Sequence, residues 1–226
     1  MLTSDQNRKI NEIVEEFKEA ADFYRMEYFE DLMGMFRDFG CMLLLKCKVD
    51  TEGKADLERL LEGRHKLKGT VKRQLMTVSE ELAQLWAPGE QDGSGDTGEY
   101  EGSQNVREMF QTALEEIFHF CLYSKGGKNR YLLPEETAKP LLRLLTFPEG
   151  MMAGNEGLVV LDTQCGAGST LMTACKYLKN PKLMGYELDE ELWAAGIIIS
   201  RLSDLKMELH LQEEIPTSLY ETCDLV

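Results

Sequence analysis

Apolar residues recur at threes and fours along the start of the chain. Ile10, Ile13, Val14, Phe17, Ala20, Ala21 and Tyr24 fall on one stripe with acids and lysines between them. That spacing predicts one amphipathic helix over about residues 5–39. A second stripe, Leu57, Leu60, Leu61, Leu67, Val71, Leu75, Val78, Leu82 and Leu85, predicts a helix over 55–86 that is stopped by Ala87-Pro88-Gly89. From Gly89 to Ser103 the chain is a run of glycines, acids and small polar residues with too little apolar surface to order itself, and we read it as a flexible acidic loop. Helices are expected again over 105–123 and from Pro134, a residue suited to a first helical turn, to about 145.

The period then changes. Gly157-Leu158-Val159-Val160-Leu161-Asp162 is a short apolar run entering a glycine-rich turn, the pattern of a buried strand. Helix is expected over 169–179, strand over 182–187, helix over 190–205 and strand over 207–211, with another strand beginning at Cys223. Strands alternating with helices of about a dozen residues imply parallel pairing through right-handed crossovers. The expected architecture is α/β: a helical domain over 1–125, carrying the acidic loop 89–103, followed by a Rossmann-like domain over 126–226.

Length allows both parts a core, since 226 residues suffice for two modest domains. The longest apolar stretches, Cys41 to Leu45 and Trp193 to Ile199, fall far short of the roughly 20 residues of a spanning helix. Residues 1–6 lack the basic start and apolar block of a secretory signal, so the expectation is a cytoplasmic protein without a membrane segment. Six cysteines with no CxxC pair, and three histidines, support neither a zinc site nor a disulfide framework. Charge changes the picture more. With 25 basic and 40 acidic residues the net charge is -15, which repels a phosphate backbone, so DNA is expected to be met only through a complex.

Candidate chemistry is concentrated after residue 160. Asp162-Thr163-Gln164-Cys165-Gly166-Ala167-Gly168 puts two glycines in the turn from strand to helix, where missing Cβ atoms let a ligand approach and the amides at the helix start can donate. A dinucleotide fingerprint would need a third glycine at 171, where Leu171 stands. Nineteen residues after Gly168, Glu187 ends the next expected strand, and a carboxylate there can accept the hydroxyls of a ribose. Both features point to a nucleoside. Each also has a plainer reading: Asp162 as a cap, Glu213-Glu214 as a solvated pair, and Arg64 to Arg73 as a solvated helix face.

Leu161 to Ser169 resembles the D-x-x-C-G-x-G motif of N6-adenine DNA methyltransferases, above all the modification subunit of type I restriction-modification systems. Lys176 to Lys182 and Gly185 to Asp189 extend the likeness, and Arg130-Tyr131-Leu132-Leu133-Pro134 resembles that family's upstream F-Y-T-P segment. The resemblance implies a class I S-adenosylmethionine-dependent methyltransferase fold and S-adenosyl-L-methionine as cofactor. It also implies a binding set of Asp162, Cys165, Gly166, Gly168, Glu187, Glu213 and Pro134. Within that set Asp162, Gly166 and Gly168 would hold the methionine part, Glu187 the ribose, and Glu213 would face the adenine. Leu132-Leu133 stand where the family has Tyr-Thr, and Gln212-Glu213 where it has Gly-Asp.

The family's catalytic Asn/Asp-Pro-Pro-aromatic segment follows its fourth strand, and no such segment occurs in these 226 residues. A flipped adenine needs that polar acceptor and stacking ring. The expectation is therefore a truncated methyltransferase domain that holds cofactor and depends on a protein partner, or on self-association, for the acceptor site. A non-catalytic, methyltransferase-like partner-binding protein is the main alternative, and a methyltransferase acting on another substrate is the second.

Overall fold

In a computed structural model the chain is described over residues 2–28, 31–49, 55–62, 67–86, 97–124, 133–145, 157–212 and 214–225. It forms two compact units, one of Met1–Lys54 with Glu58–Lys128, the other of Ala55–Leu57 with Asn129–Val226.

The first unit is helical, with α1 (Ser4–Tyr28), α2 (Leu32–Lys46), α4 (Gly69–Leu85) and α5 (Thr97–Leu122), while α3 (Ala55–Glu62) has residues in both units. The stripe Ile10 to Tyr24 is buried throughout, as the spacing demands. α1 packs on α4 and α5, and so does α2. Phe17 meets Phe39 edge-on with ring centroids 5.0 Å apart, and Phe36 lies 5.2 Å from Phe118.

Three expectations in this unit are corrected. The single helix over 5–39 is two helices, because Asp31 is extended (φ -66°, ψ 142°) and its side chain accepts from Met33 N at 2.7 Å, capping a new helix. The stripe over 55–86 is also divided, into α3 and α4, and Gly69 at the start of α4 has φ +62°, incompatible with a continuous helix. Residues 97–103 of the expected acidic loop are helical, extending α5 backwards, since adding a residue to an existing helix is far cheaper than nucleating one. The remainder of that loop, up to residue 96, lies outside the described residues.

In the second unit α6 (Glu135–Leu145) packs on α7, and the sheet follows. β1 (Val159–Asp162), α7 (Ser169–Tyr177), β2 (Lys182–Glu187), α8 (Glu190–Leu202) and β3 (Met207–Leu211) alternate, giving a parallel sheet of order β1-β2-β3. Asp162 lies opposite Gly185, Gly185 opposite Leu209, and Glu187 opposite Leu211. Tyr186 stacks on its cross-strand partner His210, rings 4.8 Å apart. α7 covers β1 and β2, and α8, almost wholly buried, covers β2 and β3.

The short helix α9 (Thr217–Thr222) had no sequence signal. After it Leu225 forms a parallel bridge to Val160, with Leu161 N donating to Leu225 O at 2.8 Å and Asp224 N to Val159 O at 2.9 Å. Alternate residues of a strand face opposite neighbours, so Leu225 lies on the side of β1 away from β2. Among the described residues no helix is long and apolar enough to cross a membrane, no group of three or more His, Cys, Asp and Glu is poised for a metal, and no disulfide joins the cysteines.

Candidate functional site

From β1 the chain runs outward through α7 to β2 and through α8 to β3, then returns by α9 to the other side of β1. The connections therefore diverge at the C-terminal end of β1. In open parallel sheets a crevice forms at such a switch point, outside the carboxyl ends of the strands. Residues 162–168 occupy that position, and this topological signal was absent from the sequence because it depends on where Leu225 pairs.

Gly166 (φ +57°) and Gly168 (φ +84°) are both left-handed, the conformation that favours glycine. A Cβ placed on Gly166 would meet nothing within 4 Å, so open space lies against the backbone there. Gly168 is the N-cap of α7 and brings no side-chain cap to the helix start. An open left-handed turn entering a helix fits an approaching nucleoside-linked ligand.

Two contacts fasten this turn to β2. Cys165 N donates to Tyr186 O at 2.9 Å, and Gly166 N donates to Glu187 Oε2 at 2.7 Å. The other oxygen, Oε1, accepts from Leu188 N at 2.7 Å and from Asp189 N at 2.8 Å. Glu187 thus gathers three backbone amides from two loops. Asp189 in turn caps α8, its Oδ1 accepting from Glu191 N and Leu192 N.

Asp162 is half-buried, and its Oδ1 accepts from Gln164 N at 3.1 Å. Burial pushes its carboxyl above the ordinary value, opposed by hydrogen bonds from Gln164 and Thr170 and assisted by the charge of Glu187. Asp162 thus has a local structural role alongside any ligand contact. Cys165 is buried beneath the turn, and burial raises its thiol to about 12. At neutral pH it is a packed, protonated thiol rather than a nucleophile.

Two small residues make the packing possible. A Cβ on Gly185 would lie 2.7 Å from Cys165 Sγ and 2.8 Å from Leu209 Cδ2, so only glycine lets the turn rest on β2. A Cβ on Gly196 would lie 2.7 Å from Leu209 Cδ1 and 3.1 Å from Ala167 O, so α8 approaches the turn at this residue. Gly196 was missed by sequence reasoning. Its signal was a glycine inside an otherwise strong helix, which costs about 1 kcal/mol relative to alanine unless something needs the room.

The structure thus brings Asp162, Cys165, Gly166, Gly168 and Glu187 together. Pro134 stands apart: it is exposed, and its neighbour Glu135 is bonded to Lys176 Nζ at 2.7 Å and Tyr177 OH at 3.1 Å in the last turn of α7, whereas the glycine turn precedes the first. Glu213 lies outside the described residues. Its neighbours are joined by Gln212 Nε2 donating to Glu214 O at 2.9 Å, just after β3. Of the basic run, residues 64–66 are likewise outside them, and Lys68, Lys72 and Arg73 are exposed.

No protein-family model matches the chain, and no curated protein does. Among solved structures, it is similar over 90% of its length to a Listeria monocytogenes protein named for the class I S-adenosylmethionine-dependent methyltransferases, with 15% identity and a TM-score of 0.51. Over 92% of its length it matches the type I restriction-modification methyltransferase subunit of Streptococcus thermophilus, with 16% identity and a TM-score of 0.45. The chain spans 53% and 60% of the lengths of these two proteins. At such identities the first likeness is one of fold alone: a mostly helical α/β chain with a small parallel sheet, as in the Listeria protein.

Proposed function

We propose that the α/β unit binds S-adenosyl-L-methionine and serves N6-adenine DNA methylation of the restriction-modification type. The observation that carries the cofactor reading is the convergence of the open left-handed turn 166–168 with the Glu187 carboxylate at the C-terminal ends of parallel strands. The adenine lineage rests on the resemblance of residues 162–168 to D-x-x-C-G-x-G. Asp162, Gly166 and Gly168 hold the methionine part, Cys165 supports the turn from below, Glu187 takes the ribose, and Glu213 faces the base; Pro134 enters through the resemblance alone. When bound, the cofactor supplies an electrophilic methyl group on its sulfonium. This chain's own residues bind and orient it.

The acceptor site is not among the residues identified, since no Asn-Pro-Pro-aromatic segment occurs in the 226 residues. Transfer needs both reactants held at near-attack distance, worth roughly 7–11 kcal/mol of the barrier. We therefore assign the chain the cofactor-binding part of the task, inactive alone, with a partner protein or a second copy supplying the acceptor site. Such a partner also brings basic DNA contacts against the charge of -15.

A second reading, a non-catalytic partner-binding module, is favoured by two observations. Glu187's oxygens already serve three backbone amides, and α6 exposes Leu141 (46%) and Leu144 (70%). Calorimetric titration separates the two readings. Weak binding of S-adenosyl-L-methionine is expected, reduced by about 1–3 kcal/mol in Glu187→Ala, the cost of unpaired ribose hydroxyls. Absence of both heat and thermal stabilisation at millimolar cofactor sinks the cofactor reading. Methyl incorporation into adenine-containing duplex by the purified chain, above a Gly166→Trp control, refutes the claim that it is inactive alone.

A further inference from the structure

Glu187 has more backbone partners than a ribose acceptor requires. A carboxylate offers about four lone-pair positions. Leu188 N and Asp189 N occupy both positions on Oε1, and Gly166 N occupies one on Oε2. The Gly166 bond spans 21 residues and joins the turn after β1 to the end of β2. Gly166 is held at φ +57°, with open space where a Cβ would stand. The turn is closed within itself by Gly168 N donating to Cys165 O at 2.8 Å, with Cys165 Sγ 3.6 Å from Gly166 O, and the bond to Glu187 is what ties Gly166 itself to the end of β2.

We propose that Glu187 is the positioning residue of the glycine turn: its carboxylate sets the shape of residues 165–168 before any ligand arrives, so that ribose recognition and the methionine side of the site are one coupled unit. This deepens the cofactor reading and rests on it for its binding arm only. A carboxylate at the end of β2 that served the ribose alone would leave the empty turn indifferent to its removal. One that organises the turn makes every contact the turn offers depend on residue 187, including contacts remote from the ribose. The neighbouring bond from Cys165 N to Tyr186 O fixes the strand side of the turn but not Gly166 itself.

Two measurements on the full chain test this. The first uses no ligand: hydrogen exchange at the Gly166 amide is followed in the wild type and in Glu187→Gln. The glutamine side chain retains two acceptor positions for Leu188 and Asp189 but turns a donor toward Gly166. Exchange at Gly166 is expected to accelerate about tenfold or more, with amides of α8 beyond its first turn unchanged as the internal control for folding. Equal exchange rates at Gly166 overturn the proposal whether or not any cofactor binds.

The second is a cycle between protein and ligand, titrating wild type and Glu187→Ala with S-adenosylhomocysteine and with its 2′,3′-dideoxy analogue. A ribose-only role predicts that the substitution has no effect on the analogue. Positioning predicts that Glu187→Ala still weakens the analogue several-fold, and rescue by Glu187→Asp, which keeps the charge, is partial. Loss of discrimination confined to the hydroxylated ligand refutes the proposal. Failure of both ligands to bind the wild type refutes the cofactor reading and leaves the exchange result to decide the role of Glu187.

Discussion

The helical unit and the α/β unit are held together by different kinds of contact. In the first, many apolar side chains share the burden: Ile10, Ile13, Phe17, Tyr24, Phe36, Phe39 and Phe110 are all at most 1% exposed, and α1, α2, α4 and α5 each pack on the other three. In the second, a few positions admit a single residue. Gly185 has no room for a Cβ, Gly196 barely more, and the Glu187 carboxylate joins three amides from two loops. Distributed packing tolerates exchange of similar side chains but loses heavily when a large one is removed. Contacts that only one residue can make fail when anything is added.

The largest effect is therefore expected from emptying the helical core. Phe17 contacts both Phe39 and Phe120, at 5.0 and 6.4 Å between centroids, and is fully buried. Phe17→Ala should cost about 3–5 kcal/mol, the lost transfer free energy plus the cavity left behind. Urea unfolding followed by circular dichroism measures it. A loss below about 1 kcal/mol would mean that the aromatic cluster is not the core of this unit.

The same contrast explains what was legible in the sequence. Helical stripes average over many residues, so the positions buried in α1 and along α4 were read correctly from spacing alone. Helix ends were not, because single residues set them: the Asp31 cap and the left-handed Gly69 interrupt stripes whose periodicity continues across the break. In the α/β unit β2 and β3 were read to the residue, since each is a short run between breakers. The glycine turn and the carboxylate at the end of β2 were visible as well. Their mutual bond was not, for no sequence spacing says that Glu187 reaches back 21 residues to Gly166 N. Pro134 matched a motif but follows the anchor of α6 on the far end of α7, a consequence of Glu135 meeting Lys176 and Tyr177.

A smaller effect, and the sharpest test of the second kind of contact, is expected at Gly185. Gly185→Ala adds one methyl group within 2.7 Å of Cys165 Sγ and 2.8 Å of Leu209 Cδ2, so the glycine turn or β3 must shift. Overpacking of this sort costs about 1–3 kcal/mol. Adding Cys165→Ala, which removes the sulfur, should recover part of the loss. Thermal unfolding of the single and double variants reads both. An unchanged melting temperature in Gly185→Ala would show that the turn is not seated on β2 as described.

The smallest effects are electrostatic, and two acids of the α/β unit should respond to pH with opposite signs. Burial raises the Asp162 carboxyl above its ordinary value, so in the fold it binds a proton more readily than in the unfolded chain. Its contribution is fully present below the ordinary carboxylate value and is lost as pH rises through the raised folded value. Glu135 is the reverse: the hydrogen bond from Lys176 holds its carboxyl below the usual range, so its contribution is present above that range and is lost as pH falls through the lowered value. The Glu135 and Lys176 side chains are 42% and 58% exposed, so water screens the pair and it contributes under about 1 kcal/mol, less in high salt. Asp162→Asn keeps an acceptor for Gln164 N and should gain stability relative to the parent as pH rises from the acid side toward neutrality. Glu135→Gln should lose stability relative to the parent over the same rise, and the loss should shrink in molar salt. Urea unfolding of both variants across acid and neutral pH decides the matter. The same direction of change in both would mean that burial at Asp162 does not outweigh its bonds from Gln164 and Thr170, and that the turn's carboxylate is solvated rather than enclosed.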